Sequence, residues 1–412
     1  MSGYLTKIKT KIPYSDKEVD IDLGGKTLIL TGDNGCGKTQ LMDFLFTKLK
    51  ESVIERKNYS IVQLKQNLAS YQNQFNDLGP ASKNYHHFKE QIALTKEKIT
   101  EIENPPIQIH NLDEFVVKCQ TFQAVLTSFE AMRKSDIAKP SSVTSLDALR
   151  SKENGPRHIR RNNTAAIFEE FLVTNIANQA FSESKKINDN QEEAIRIEKW
   201  FNKLEADLQD LFEDKMLKLV FKSDSFSFEI HQSHKEPYTF QTLSSGFSSI
   251  MAVYADLITK VSLRSIDPDE LTGIVLIDEI DAHLHVSLQK KILAFLKNSF
   301  PKVQFIVTTH SPFVVSSVDD AVIYDLSKLE QVEDLSMYSY EAVLEGLFGV
   351  LPVSSLLQKN IKKLAELLKR SPIDIEETQA LLAQLPNDEE SLDPESLYFV
   401  KSAQIAISKA KR

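Results

Sequence analysis

Cysteine is scarce in this 412-residue chain, with Cys36 and Cys119 the two present. Two thiols cannot make a disulfide framework, which excludes a small stapled scaffold and makes a reduced cytoplasm the expected setting. Long apolar runs are lacking as well. None approaches the ~20 residues that cross a bilayer, and no charged-then-apolar leader opens the sequence, so no membrane is expected among its partners. Positive charge is in deficit: the formal net charge of −9 argues against a surface basic all round. A local basic patch stays open, because electrostatic footprints are patches rather than totals. Residues 133–161 carry eight Lys/Arg against three acidic residues and end in Arg157-His158-Ile159-Arg160-Arg161. They read either as a nucleic-acid surface or as a solvated loop with no partner. Low-complexity segments and internal repeats are also missing. Hydrophobic residues at 42% and charged residues at 26% exclude wholesale disorder, and the length suffices for one large domain or two ordinary ones.

What is present begins with strand-like alternation (Leu5, Ile8, Ile12; then Val19, Ile21, Leu23) and a turn at Gly24-Gly25. Thr27-Leu28-Ile29-Leu30 has the content of a buried strand, and an amphipathic helix follows the glycine-rich stretch after it. Residues 54–106 change period. Ile54, Ile61, Leu64, Leu68, Tyr71, Phe75 and Leu78 mostly keep 3-4 spacing, with Lys57 the misfit. Tyr85, Phe88, Ile92, Ile99 and Ile102 resume it after Gly79-Pro80-Ala81-Ser82, Thr95 filling the gap. Two legs of about 30 Å in a short antiparallel coiled-coil hairpin fit this pattern, closed by Pro105-Pro106. Two ordinary surface helices are the alternative. Beyond come a strand at 123–127, a helical run at 192–212, strands at 217–221 and 226–230, a helix from about Ser248, and buried strands at 274–277 and 305–308. After about residue 337 the pattern is helical, with Leu357, Ile361, Leu364 and Leu368 at 3-4 spacing. The expected fold is α/β: a P-loop head with a mixed sheet from residues 1–53 and 107–336, the hairpin inserted at 54–106, and a helical C-terminal tail at 337–412.

Gly32-Asp33-Asn34-Gly35-Cys36-Gly37-Lys38-Thr39 fits the phosphate-loop pattern in full, between a strand and a helix. Backbone N–H groups of such a loop close on phosphates, and the helix N-terminus favours their charge. The candidate nucleotide-binding residues are Gly32, Asn34, Gly35, Cys36, Gly37, Lys38, Thr39 and Gln40. Lys38 would neutralise the β- and γ-phosphates, and the Thr39 hydroxyl would hold Mg²⁺. Ile274-Val275-Leu276-Ile277-Asp278-Glu279 delivers two adjacent carboxylates to a strand end. Asp278 suits Mg²⁺, and Glu279 suits orientation or deprotonation of the attacking water. Thr309-His310-Ser311-Pro312 ends the next strand. His310 there can sense a γ-phosphate, or it is a surface histidine in a turn. Lys38, Glu279 and His310 are the catalytic candidates. Upstream stands a second phosphate-grasping turn, Leu243-Ser244-Ser245-Gly246-Phe247.

The order phosphate loop, Leu-Ser-Ser-Gly, hydrophobic-Asp-Glu, histidine resembles that of ABC-type ATPases. The continuation Ile280-Asp281-Ala282-His283-Leu284-His285 looks like the branch containing the SMC, RecF and OLD proteins. The resemblance implies two heads sandwiching two ATP molecules. Ser244, Ser245 and Gly246 would then complete the partner copy's site, and Ala282-His283-Leu284 would form the loop through which the two copies communicate. The chain departs from the pattern at Ser245-Gly246 in place of a glycine pair, at Phe247 in place of a polar residue, and at Ile280 and Val286 in place of prolines. The glutamine that links nucleotide to Mg²⁺ has Gln123 and Gln120 as candidates. Residues 200–254 further resemble stand-alone ATPase subunits of bacterial anti-phage systems such as PARIS and Septu.

No carboxylates after residue 337 are spaced as in a topoisomerase-primase-type nuclease; Glu376, Glu377, Asp388, Glu389 and Glu390 read as a solvated face. The first reading is therefore a homodimeric, Mg²⁺-dependent ATPase switch of a defence system, with a separate nuclease or toxin effector. A RecF-like repair ATPase binding DNA is the second. A transporter ATPase is disfavoured, because the hairpin occupies the region of the coupling helices. The hairpin is too short for chromosome tethering.

Overall fold

Five short apolar runs in this chain become parallel strands because both of their faces are covered. The computed structural model describes residues 3–55, 61–76, 84–154, 164–332, 335–349, 353–370, 374–386, 388 and 392–410. Twelve strands are found among them: β1 (Leu5–Lys11), β2 (Glu18–Asp22), β3 (Thr27–Thr31), β4 (Ile107–Ile109), β5 (Ala124–Phe129), β6 (Lys218–Lys222), β7 (Ser227–His231), β8 (Tyr238–Thr239), β9 (Thr272–Ile277), β10 (Val303–Thr308), β11 (Ala321–Asp325) and β12 (Glu330–Val332). The central sheet has the order β12-β11-β3-β10-β9-β5. All its pairings are parallel except β11 with β12, so the sheet is mixed, as expected. β3 and β10 are buried along their whole length, as continuous apolar runs in a parallel sheet must be.

A second sheet, β2-β1-β4, and a third, β6-β7-β8, are antiparallel. Gln304 joins the second sheet to the first. Its buried amide donates to the Leu5 and Lys26 carbonyls (2.8 Å each) and accepts from the Leu5 N–H (2.9 Å).

The glycine-rich loop after β3 runs into α1 (Lys38–Val53), which buries Leu41, Leu45 and Leu49 on the sheet. Then come α2 (Ile61–Asn76) and α3 (Tyr85–Glu103), which pair antiparallel. The rings of Phe75 and Tyr85 lie 4.8 Å apart, those of Tyr71 and Phe88 6.2 Å, and Lys65 bonds Glu103 at 2.7 Å at the other end. Lys48 on α1 holds Glu101 at 2.8 Å, pinning the base of the hairpin. Ile54 is not on this seam: it caps α1 and packs into the main core. The expected turn at Gly79-Pro80-Ala81-Ser82 lies outside the described residues.

The chain divides into two compact units, Met1–Tyr340 and Glu341–Arg412. The second is helical, with Ser355–Leu368, Ile375–Leu382 and Pro394–Ala410 enclosing Ile361, Leu364, Leu367, Leu381, Val400 and Ala403. Among the described residues, no helix is long and apolar enough to cross a membrane.

Candidate functional site

Because β3, β10 and β9 are adjacent and parallel, their C-terminal ends open on one edge of the sheet. That edge collects the glycine-rich loop, the Thr309-His310 step and the Asp278-Glu279 pair. Gly37 enters α1 with φ of 107°, and a Cβ there would sit 2.9 Å from Ile12 Cγ2, so both backbone and space demand glycine. Asn34, Gly35, Thr39 and Gln40 are exposed, while Gly32, Cys36, Gly37 and Lys38 are buried. The Lys38 ammonium curls over the loop and donates to the Gly32 and Asp33 carbonyls at 2.9 and 3.0 Å. An ammonium held on carbonyls can be handed to a stronger, anionic acceptor.

Asp278 is the junction of the edge. Its Oδ2 accepts from the Thr39 hydroxyl at 2.8 Å and its Oδ1 from the Thr308 hydroxyl at 2.5 Å. Thr308 Oγ1 in turn accepts from the Glu279 N–H at 2.7 Å, so β10 orients both acidic residues. Glu279 has φ of 45°, a left-handed conformation that costs a non-glycine residue and turns the chain sharply away from the strand. His310 is half-buried beside these groups. Burial, and then the nearby Lys38 charge, hold its pKa below 6.5, against the opposing pull of Asp281, Glu279 and Asp33. Its neighbour Thr309 donates to Asp281 at 2.5 Å.

The serine/glycine turn starts the Ser245–Leu263 helix, three residues earlier than the apolar pattern suggests. Ser244 and Ser245 are exposed at the helix N-terminus, where the first N–H groups of a helix have no partner within it. Gly246 is buried against the turn after Glu279: a Cβ there would lie 2.8 Å from the His283 carbonyl oxygen. Phe247 faces inward and stacks on Phe212, centroids 4.1 Å apart and planes 5° from parallel. The half-buried ring is taken up by this stack rather than left free at the turn. Ile280 is buried and Val286 is 40% exposed.

Two expectations need correction. Gln120 ends the Leu112–Gln120 helix and Gln123 precedes β5, at the end of the sheet away from this edge. Six residues at ~3.3 Å each put Gln123 roughly 20 Å from it, too far for any part in the site. Glu130, not a glutamine, follows β5 at the site end. The basic stretch is also partly consumed inside the molecule. Arg150 donates to the Leu263 carbonyl at 2.8 Å, and Lys152 bonds Glu170 at 2.7 Å. Arg133 binds backbone carbonyls around Asp278. Arg157, Arg160 and Arg161 lie outside the described residues. In the sequence Arg133 is one charge among eight, because nothing local distinguishes a solvated arginine from a buried one.

Residues 28–316 match the protein family described as "AAA domain, putative AbiEii toxin, Type IV TA system". The chain belongs to this family. The AAA-domain match runs from β3 to the short Pro312–Val315 helix and so contains every part of the edge just described. Relatives include a Septu protein PtuA of Bacillus thuringiensis, 35% identical over 35% of this chain and 37% of that protein. A retron Ec83 probable ATPase of Escherichia coli is 42% identical over 26% of this chain and 21% of its own. The chain thus spans about a third or less of the length of these curated relatives. Among solved structures, an SMC head bound to the C-winged helix domain of ScpA is similar at 14% identity, covering 78% of this chain and 94% of that one with a TM-score of 0.37.

Proposed function

We propose that this AAA-domain protein is a Mg²⁺-dependent ATPase that acts as a nucleotide-gated homodimeric switch in an anti-phage defence system, controlling a separate nuclease or toxin effector. The observation that carries the reading is a divided site. Lys38, Thr39, Asp278, Glu279 and His310 share one sheet edge, while the exposed Ser244-Ser245 turn offers a further phosphate-binding helix end. A chain hydrolysing ATP alone has no use for the second anion site. A second copy facing the first across ATP uses it.

In this reading the backbone N–H groups of the 32–37 loop and the Lys38 ammonium hold the phosphates. Mg²⁺ takes few protein ligands and completes its shell with phosphate oxygens and water, so the Thr39 hydroxyl and the Asp278 carboxylate, already 2.8 Å apart, fit it. Bound there it would offset charge developing on the transferred phosphoryl group. Glu279 orients the attacking water and accepts its proton. His310, whose burial disfavours the charged form, donates to or accepts from the γ-phosphate region. The defence context is supported by the Septu and retron relatives. A RecF-like role on DNA has less support, because Arg133, Arg150 and Lys152 are engaged within the chain.

The test is Glu279→Gln with ATP on a sizing column. The expected result is an ATP-dependent shift to twice the mass, with ATP retained unhydrolysed. A variant that stays monomeric and releases phosphate at the wild-type rate would sink the dimeric switch. Co-purification with the product of an adjacent reading frame tests the effector half of the reading.

A further inference from the structure

Arg133 has no part in the chemistry assigned above, yet its side chain bridges the Asp278–Ile280 turn and the helix that the Ser244–Gly246 turn begins. It lies in the loop that leaves β5 at the nucleotide edge. Nη1 donates to the Asp278 carbonyl at 2.8 Å and Nη2 to the Ile280 carbonyl at 3.0 Å; both reach the Glu279 carbonyl at 3.3 Å. On its other side, Nε donates to the Ser249 carbonyl at 3.3 Å, in the second turn of the Ser245–Leu263 helix. Two residues on, Ser135 bonds Ser248 of that helix through its N–H (3.1 Å) and its hydroxyl (3.2 Å). Gly246 closes the triangle by packing on the His283 carbonyl.

We propose that Arg133 is a positioning residue that gears the Ser244–Gly246 turn to the Asp278–Ile280 turn of the same chain, so that engaging a partner's phosphate resets Glu279. This rests on the dimeric ATPase reading. The Glu279 carbonyl already accepts from the Ala282 N–H at 2.9 Å within the turn, whereas the Asp278 and Ile280 carbonyls on either side of the left-handed Glu279 take their hold from Arg133. A planar guanidinium with five fixed donors can span those carbonyls and still reach a helix on the far side; a single ammonium cannot. Burial lowers the Arg133 pKa to about 10, with Asp281, Asp278 and Glu279 opposing, so the charge is present throughout the physiological range. The device works by rigid transmission. A shift of the helix N-terminus pulls on Nε, and the fork passes it to the carbonyls that set the direction of the Glu279 side chain.

The experiment is a double-mutant cycle in the full chain, pairing Arg133→Lys with Ser245→Ala. It reads ATP affinity with a fluorescent ATP analogue, the thermal midpoint, and phosphate release. Expected is Arg133→Lys with ATP affinity within about twofold of wild type, an unchanged midpoint, and turnover reduced about tenfold or more. The double variant should be no slower than the slower single, since both cut the same connection. Losses that multiply in the double variant overturn the inference. So does a turnover loss that merely follows loss of affinity or midpoint, or normal turnover in both Arg133→Lys and Arg133→Met. Failure of both to fold assigns Arg133 a structural role and also overturns it. A wild-type chain that binds ATP and releases no phosphate at any concentration overturns the ATPase reading itself, a result seen before any variant is made.

Discussion

An alanine methyl at residue 246 would meet the His283 carbonyl oxygen at 2.8 Å, and a carbonyl of the backbone cannot swing aside as a side chain does. The turn after Glu279 or the N-terminus of the Ser245–Leu263 helix must shift, at a cost of about 1–3 kcal/mol. Gly246→Ala is therefore expected to bind ATP in the single chain as wild type does and to turn it over about tenfold more slowly. Analogue titration and phosphate release measure the two, and wild-type turnover would rule the contact irrelevant. His310 supplies a pH test. Its folded-state pKa lies below 6.5, so above that value folded and unfolded chains are both neutral there and the residue contributes no slope. As pH falls through 6.5 the unfolded chain takes the proton first, and stability drops until the lowered folded value is reached. His310→Gln should flatten this part of the stability curve just below pH 6.5; an unchanged slope in urea unfolding would show that His310 is not held neutral. At this scale the phosphate loop and the Asp278-Glu279 pair could be read in advance, because each is a contiguous run whose spacing is its geometry. Arg133 and Gln304 could not, since their partners lie more than a hundred residues away.

Elements were legible where a period or a motif was strong. The alternation at Val19, Ile21 and Leu23 became β2, and the apolar run before Asp278 became β9. The Ser245–Leu263 helix starts before its apolar pattern does, because Ser and Gly are poor helix formers and here serve the exposed end rather than the apolar face. Ile54 fell into the hairpin's spacing yet belongs to the main core, since a 3-4 pattern does not say which neighbour it meets. The least expected element-level feature is the joint between β1 and β10. Gln304 interrupts an apolar strand, and its amide satisfies three backbone groups that no strand pairing reaches. Gln304→Leu keeps the volume and deprives the two buried Leu5 backbone groups, and the part-buried Lys26 carbonyl, of that partner. Each orphan costs about 1–3 kcal/mol, so a loss of roughly 3 kcal/mol or more is expected after partial relaxation. Urea unfolding measures it. A loss below about 1 kcal/mol would show that the joint is not a structural one.

For the whole molecule the decisive question is whether one chain or two build a working site. In an isologous dimer each composite site takes its phosphate loop from one copy and its Ser244–Gly246 turn from the other. A chain with Lys38→Ala cannot hold ATP but still offers the turn. A chain with Gly246→Ala holds ATP but offers a displaced turn. Alone, the first is inactive and the second about tenfold slowed, for opposite reasons. Mixed in equal amounts, about half of the dimers are hybrids, and every hybrid contains one intact site beside one doubly damaged site. Phosphate release should therefore recover to about a quarter of the wild-type rate per chain if one loaded site suffices. It should not recover if Glu279 fires only when its own chain's turn engages a partner's phosphate, as the Arg133 gearing requires. The recovery should also depend on protein concentration. The damaged residues sit on different elements, the start of α1 and the start of the Ser245–Leu263 helix, so neither variant repairs the other by contact within a chain. A mixture no more active than its parts would mean that both ATP molecules are needed to close the pair, that Glu279 awaits its own chain's turn, or that the turn serves its own chain. The first two still leave Glu279→Gln dimerising with ATP, and the third does not. Recovery, by contrast, has a single explanation: a turn whose serines stay exposed in one copy is the missing wall of the site in the next.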